Sequence, residues 1–153
     1  MHQDSPTRAP APRHVFVYGT LRRGQANDIM ALQPAPAWVG RASVHGTLYD
    51  MGRYPGVVLG GTALVRGEVY EIAPALEEKL DEIEMIYPQQ RDEYFKRELS
   101  VAVALDNGLV RWLNCLCYVY NPAYLGRAPV IVSGDWVATE RLRSLGSPRN
   151  RQP

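Results

Sequence analysis

Two stretches of this chain carry residues whose types and spacing could do chemistry. The first is Tyr18-Gly19-Thr20-Leu21, which follows the apolar run from His14 to Val17 and leads into Arg22-Arg23-Gly24. A short strand running directly into a small polar loop presents backbone N–H groups, because glycine tolerates positive φ and lets a ligand approach the main chain closely. A strand end of this kind is a common place for a binding site. The second is Glu84, within an apolar periodicity that predicts a helix from Pro74 to Tyr87. At ~100° per residue Glu84 lies roughly 40° from Leu80, whereas Glu78 and Glu82 point to nearly the opposite side. A carboxyl half turned toward a core has a raised pKa, which suits a general acid or base near neutral pH. The same position also suits an ordinary boundary glutamate paired with Arg91 or Arg97.

Other polar and aromatic residues have a structural reading beside the chemical one. Tyr18 and Tyr120 stand at strand ends, where a phenol lines a pocket or plugs a core. Arg22 and Arg23 could attract an anion, although solvated arginine is the commoner outcome. Tyr94 and Arg97 precede a strand, and Arg97 is expected in an ion pair more than on a substrate. Asp81 and Glu82 read as surface charges. Asp135 is placed to cap a helix, with Trp136 buried behind it. The two cysteines, Cys115 and Cys117, share one strand face at a spacing unsuited to a disulfide and read as core residues. His2, His14 and His45 offer no matching ligand spacing, so no metal is predicted.

These residues must be held by elements, and most of the elements read as strands. Runs at 14–18, 38–49, 63–72, 97–105 and 109–120 are short and rich in β-formers. Asp106-Asn107-Gly108 predicts a tight hairpin joining the last two. Tyr54-Pro55-Gly56 predicts another turn. Besides the helix at Pro74 to Tyr87, shorter helices are expected at Ala26 to Leu32 and Asp135 to Leu145. Strands with few helices make an α+β domain built on a sheet or small barrel. A length of 153 residues with 46% hydrophobic content suits one domain, placed at 14–145. The Pro- and Arg-rich ends, 1–13 and 146–153, read as disordered tails. A formal net charge of +1 with dispersed basic residues argues against a nucleic-acid partner. No apolar run is long enough to span a bilayer and the N-terminus lacks a signal-peptide core, so no membrane partner and a cytoplasmic location are expected.

Taken in order, Tyr18-Gly19-Thr20-Leu21-Arg22-Arg23-Gly24, Gly46-Thr47-Leu48-Tyr49-Asp50 with Tyr54-Pro55-Gly56, Gly67-Glu68-Val69-Tyr70, Leu80-Asp81-Glu82-Ile83-Glu84, Tyr94 with Arg97, and Ser133-Gly134-Asp135-Trp136 resemble the γ-glutamylcyclotransferase-like (AIG2-like) superfamily, which includes the γ-glutamylamine cyclotransferases. The resemblance implies a small mixed, mainly antiparallel β-barrel with flanking helices. It also implies a pocket at Tyr18, Gly19, Thr20 and Leu21 and Glu84 as the catalytic residue; Tyr120, weighed from its strand end alone, is a further candidate for the wall. The implied reaction is cofactor-free release of 5-oxoproline from a small γ-glutamyl compound, the substrate's own α-amine attacking its γ-amide carbonyl. The segment Met85 to Gln90 departs from the usual pattern, where many relatives carry glycine and a shorter aromatic turn. Two other readings stay open: a non-catalytic small-molecule-binding domain of the same fold, and a related acyl-cleaving biosynthetic enzyme. The identity of the leaving amine, the pathway and the oligomeric state are not legible in the residues.

Overall fold

A computed structural model describes residues 11–86 and 92–146. Five strands, β1 (Arg13–Val17), β2 (Ala37–Asp50), β3 (Pro55–Ile72), β4 (Tyr94–Leu105) and β5 (Val110–Tyr120), close into a barrel in the order β1-β3-β2-β4-β5. All neighbours are antiparallel except β1 and β5, which run parallel and pair only at His14↔Cys115 and Val15↔Leu116. Helix α1 (Pro74–Asp81) follows β3, and α2 (Trp136–Gly146) follows β5 through a loop.

Strand alternation divides the apolar residues between two cores. Phe16, Val65, Val69, Val101, Val103, Cys115 and Cys117 fill the barrel interior, joined by Trp136 from the first turn of α2. Val15, Val17, Tyr70, Leu116 and Tyr118, the intervening residues, face outward and are covered by Leu76 and Leu80 of α1. Both cysteines are buried and unbridged, as their shared face required.

The strands fall close to the predicted runs, and the differences have local causes. Pro55 and Gly56 belong to β3; the turn lies just before them, where Met51 N–H reaches Tyr54 O at 3.0 Å and Gly52 adopts φ 101°. Arg13, placed in a tail by composition, pairs with Ile72 across β1 and β3. At the other end Gly146 closes α2. The remaining tail expectations, for 1–10 and 147–153, lie outside the described residues. The helix expected at Ala26 to Leu32 shrinks to a single 3-10 turn, Ile29–Ala31, because Asp28 receives both Met30 N–H at 2.9 Å and Gly24 N–H at 2.8 Å and so starts the turn late. The helix expected at Pro74 to Tyr87 is α-helical only to Asp81, then widens into a π-helical turn over Glu82–Ile86. Tyr87 lies outside the described residues.

The Asp106-Asn107-Gly108 hairpin forms as read. Gly108 has φ 88°, and Asn107 Oδ1 accepts Leu109 N–H at 3.0 Å. Gly108→Ala should cost about 1 kcal/mol, since a Cβ is strained at this φ. Thermal melting of the variant measures it, and no change in melting temperature would refute the assignment of strain.

Candidate active site

The loop after β1 is organised by the segment that follows it. Asn27 N–H donates to Thr20 O at 2.8 Å, Ile29 N–H to Leu21 O at 2.9 Å, and the Asn27 side-chain amide to Thr20 Oγ1 at 3.1 Å. Carbonyls and hydroxyl are thereby occupied on one side. On the other side, among the described residues, no protein acceptor takes the N–H groups of Gly19, Thr20 or Leu21. Gly19 is required by crowding, because a Cβ there would stand 2.6 Å from Pro55 Cγ. The parallel pairing of β1 with β5 has already ended by this point. Instead the Tyr18 hydroxyl donates to Tyr118 O at 2.6 Å and accepts Val57 N–H at 3.3 Å, so a side chain closes the wall where the ladder stops.

Glu84 faces this loop. A narrow compartment of ≈ 20 Å³ is walled by Tyr18, Gly19, Thr20, Leu21, Pro55 and Glu84 together with neighbouring aromatic residues. It opens beside a larger cavity of ≈ 430 Å³, bounded by Thr20, Asn27, Arg53, Tyr54, Ile83, Glu84 and Tyr94 among others. Thr20, Tyr54, Glu84 and Tyr94 border both. The inner compartment has room for about one water-sized group, and the outer one for a small organic molecule.

The electrostatics of Glu84 follow from that position. Its residue keeps some contact with solvent through the cavity, but the carboxyl group is enclosed, and burial pushes its pKa up to about 7, with the negative charge of Glu93 adding to the rise. The boundary ion pair is not formed with Arg97, which donates to Lys96 O and lies over the Phe95 ring. Arg91 is outside the described residues. A carboxyl with this pKa takes up and returns a proton near neutrality.

The model of the gamma-glutamyl cyclotransferase, AIG2-like family matches residues 15–138. The chain belongs to this family. A putative gamma-glutamylcyclotransferase of Vibrio cholerae is 30% identical over 122 residues, covering 80% of this chain and 93% of the relative. The gamma-glutamylaminecyclotransferase of Bos taurus is 33% identical over 121 residues, covering 71% of this chain and 65% of the relative. Among solved structures, an AIG2-like protein from Mus musculus superposes with a TM-score of 0.59 at 29% identity, covering 77% of this chain and 84% of that one.

Within this AIG2-like barrel, the other sequence candidates divide between the cavity and its supports. Tyr120 stands behind the wall: its ring packs against Gly56, where a Cβ would lie 2.4 Å from Tyr120 Cγ, and its hydroxyl donates to Glu93 Oε2 at 2.5 Å. Tyr94 is in the wall, with its hydroxyl donating to Pro55 O at 2.7 Å. Arg22 is not solvated; its Nε meets Glu68 Oε2 at 3.1 Å and its NH1 meets Asp135 Oδ1 at 2.9 Å. Arg23 lies over the Trp38 ring at 4.4 Å. Asp81 is likewise not a free surface charge, since Lys96 Nζ pairs with it at 3.0 Å and the Tyr118 hydroxyl donates to it at 2.6 Å. Asp135 caps α2 by accepting Ala138 N–H at 3.1 Å, and Trp136 is buried, as read. The side chains of Met85 and Ile86 and the residues 87–90 lie outside the described set.

Two residues were missed, Tyr54 and Glu93. In the sequence Tyr54 carries only a turn and a place in the family pattern, yet it borders both cavities and its hydroxyl donates to Glu93 Oε2 at 2.7 Å. Among the described residues, no group of three or more His, Cys, Asp or Glu is arranged to hold a metal ion, and no helix is long and apolar enough to cross a membrane.

Proposed function

We propose that the protein is a γ-glutamyl cyclotransferase, releasing 5-oxoproline and a free amine or amino acid from a small γ-glutamyl amide, with Glu84 as general acid and base. The observation that carries this reading is that Glu84 borders one compartment with Gly19, Thr20 and Leu21, whose N–H groups have no protein acceptor among the described residues. Membership of the family and the names of its relatives support the same class of reaction.

The chemistry needs no group beyond these. A substrate α-ammonium has a pKa near ~8 and is mostly protonated at neutral pH, so a base must take a proton before nitrogen can attack. Ionised Glu84 takes it. The amine then forms a bond to the γ-carbonyl carbon, and the oxygen that gains charge is small enough for the inner compartment, where loop N–H groups can meet it. When the carbon–nitrogen bond to the leaving group breaks, protonated Glu84 supplies the proton that lets it depart as an amine. Overall the α-nitrogen loses two protons and the leaving nitrogen gains both, so one carboxyl can carry them in turn and end as it began. Nucleophile and electrophile belong to one molecule, and holding them in a near-attack conformation removes several kcal/mol of barrier.

The test is incubation of the purified protein with γ-glutamyl amino acids, γ-glutamyl amines and γ-glutamyl-lysine isopeptides, with 5-oxoproline measured directly. Release from at least one class is expected. Thermal stabilisation by these compounds with no product from any would replace the proposal with a binding role.

A further inference from the structure

Glu93 immediately precedes β4, is 3% exposed, and was given no role by the chemistry above. The chain is turned into it by Asp92, a non-glycine residue at φ 58°. It is then clamped to the end of β5: Asn121 N–H donates to Glu93 O at 2.8 Å, and the Asn121 side-chain amide to Asp92 O at 3.0 Å. Two phenols, Tyr54 and Tyr120, converge on Oε2. Oε1 is buried without a hydrogen bond among the described residues.

A buried carboxylate with one unpartnered oxygen is a costly way to tie two strand ends together. A neutral amide could accept both phenols at lower cost, so the charge itself is the feature to be accounted for. What it faces supplies the account. Tyr54, held by Glu93, and Tyr94, its neighbour in the chain, both border the compartments that Glu84 borders.

We infer that Glu93 is a positioning residue for the proposed reaction: it anchors Tyr54 in the cavity wall and keeps a negative charge behind Glu84, so that the travelling proton resides on Glu84. The role in turnover rests on reading Glu84 as the proton carrier. Around these two carboxyls stand Tyr18 from the β1 end, Tyr54 from the β2–β3 turn, Tyr94 from β4, and Cys117, Tyr118 and Tyr120 from β5. Burial pushes every one of them upward, so none changes charge near pH 7. Asp81, one turn before Glu84, is neutralised by Lys96. Arg53 borders the outer cavity at its exposed edge. Among the described residues, Glu93 is therefore the buried charge that bears on Glu84.

Glu93→Gln keeps an acceptor for both phenols and removes the charge. In this variant the acid limb of the kcat/KM profile should move to lower pH, and the Glu84 carboxyl-carbon midpoint, followed by NMR, should fall with it. A role confined to packing would lower the rate and leave both midpoints in place; that result in a folded variant overturns the inference. Should Glu93→Gln not fold, Tyr54→Phe carries the test, because it cuts the tie between Glu93 and the cavity wall: kcat is expected to fall, and full turnover in the folded variant overturns the inference. The NMR measurement needs no turnover. A falling Glu84 midpoint without 5-oxoproline from any substrate removes the proposed reaction and leaves the pairing standing, whereas turnover with an unmoved midpoint removes the role of Glu93 alone.

Discussion

Glu84→Gln is expected to lose turnover by ~10² to 10⁴ while the barrel stays folded, because a positioned general base and acid contributes that much and an amide can do neither job. The rate of 5-oxoproline release by the variant measures this, and near-parental activity in a folded variant would reassign the proton transfers. Stability should change in a linked way. Glu84 has its pKa raised in the folded chain from 4.5 to about 7, so the native state binds this proton more tightly than the unfolded state does. That contribution is fully present below the unfolded pKa and is lost as pH rises through the folded one. Above pH 7 the parent must hold a buried charge at a cost on the order of 3 kcal/mol, which Gln does not bear. Compared with the parent, Glu84→Gln should therefore gain in melting temperature as pH rises from 5 to 8. A difference that is flat with pH would mean that the carboxyl is not desolvated.

Arg22→Ala should cost about 3 kcal/mol of folding stability, read by denaturant unfolding. Its guanidinium, whose side chain is 11% exposed, bridges Glu68, at 8%, and Asp135, at 24%. Removing one member of a buried ion network costs ~3–5 kcal/mol because the partners keep their desolvated charge. The low end applies here. Glu68 Oε1 retains Arg23 N–H at 3.0 Å and the Tyr70 hydroxyl at 2.8 Å, and Asp135 retains its capping bond to Ala138. Burial alone would raise the pKa of Asp135, but the Ala138 N–H and the Arg22 charge outweigh it and the net shift is downward. The parent should accordingly lose stability in acid more steeply than the variant. Because Arg22 follows Leu21 directly, the variant should also raise KM for a γ-glutamyl substrate. A loss under 1 kcal/mol would show that the bridge is solvated.

The barrel was legible because its strands carry a clear period of two and its last hairpin a strong turn signal. Glu84 and the Tyr18 to Leu21 loop were legible for a related reason: each is a local departure from a regular pattern. What escaped depended on partners distant in sequence. Arg22 looked like a solvent arginine since nothing near it announces Glu68 or Asp135, which lie 46 and 113 residues away. Asp81 looked free until β4 and β5 brought Lys96 and Tyr118 against it. Tyr120 reads equally as a pocket residue or a packing residue, and its ring packs against Gly56 behind the wall. Glu93 sits among Asp92, Lys96 and Arg97 in a polar stretch ahead of the run read as a strand from 97. Its one local hint is that it stands next to Tyr94, an aromatic already in the family pattern.

The π-helical turn at Glu82–Ile86 gives the position of Glu84 an unusual kind of sensitivity. A wide turn holds roughly one residue more than an α-helical turn, and a helix advances about 100° with each residue. The bearing of the carboxyl is thus written in a count of residues as much as in their identities. Exchanging Ile83 for another aliphatic side chain leaves that count alone. Deleting Ile83 would restore α-helical phase and turn Glu84 about the helix axis. In this stretch the chain's length, read like a reading frame, is itself part of the site.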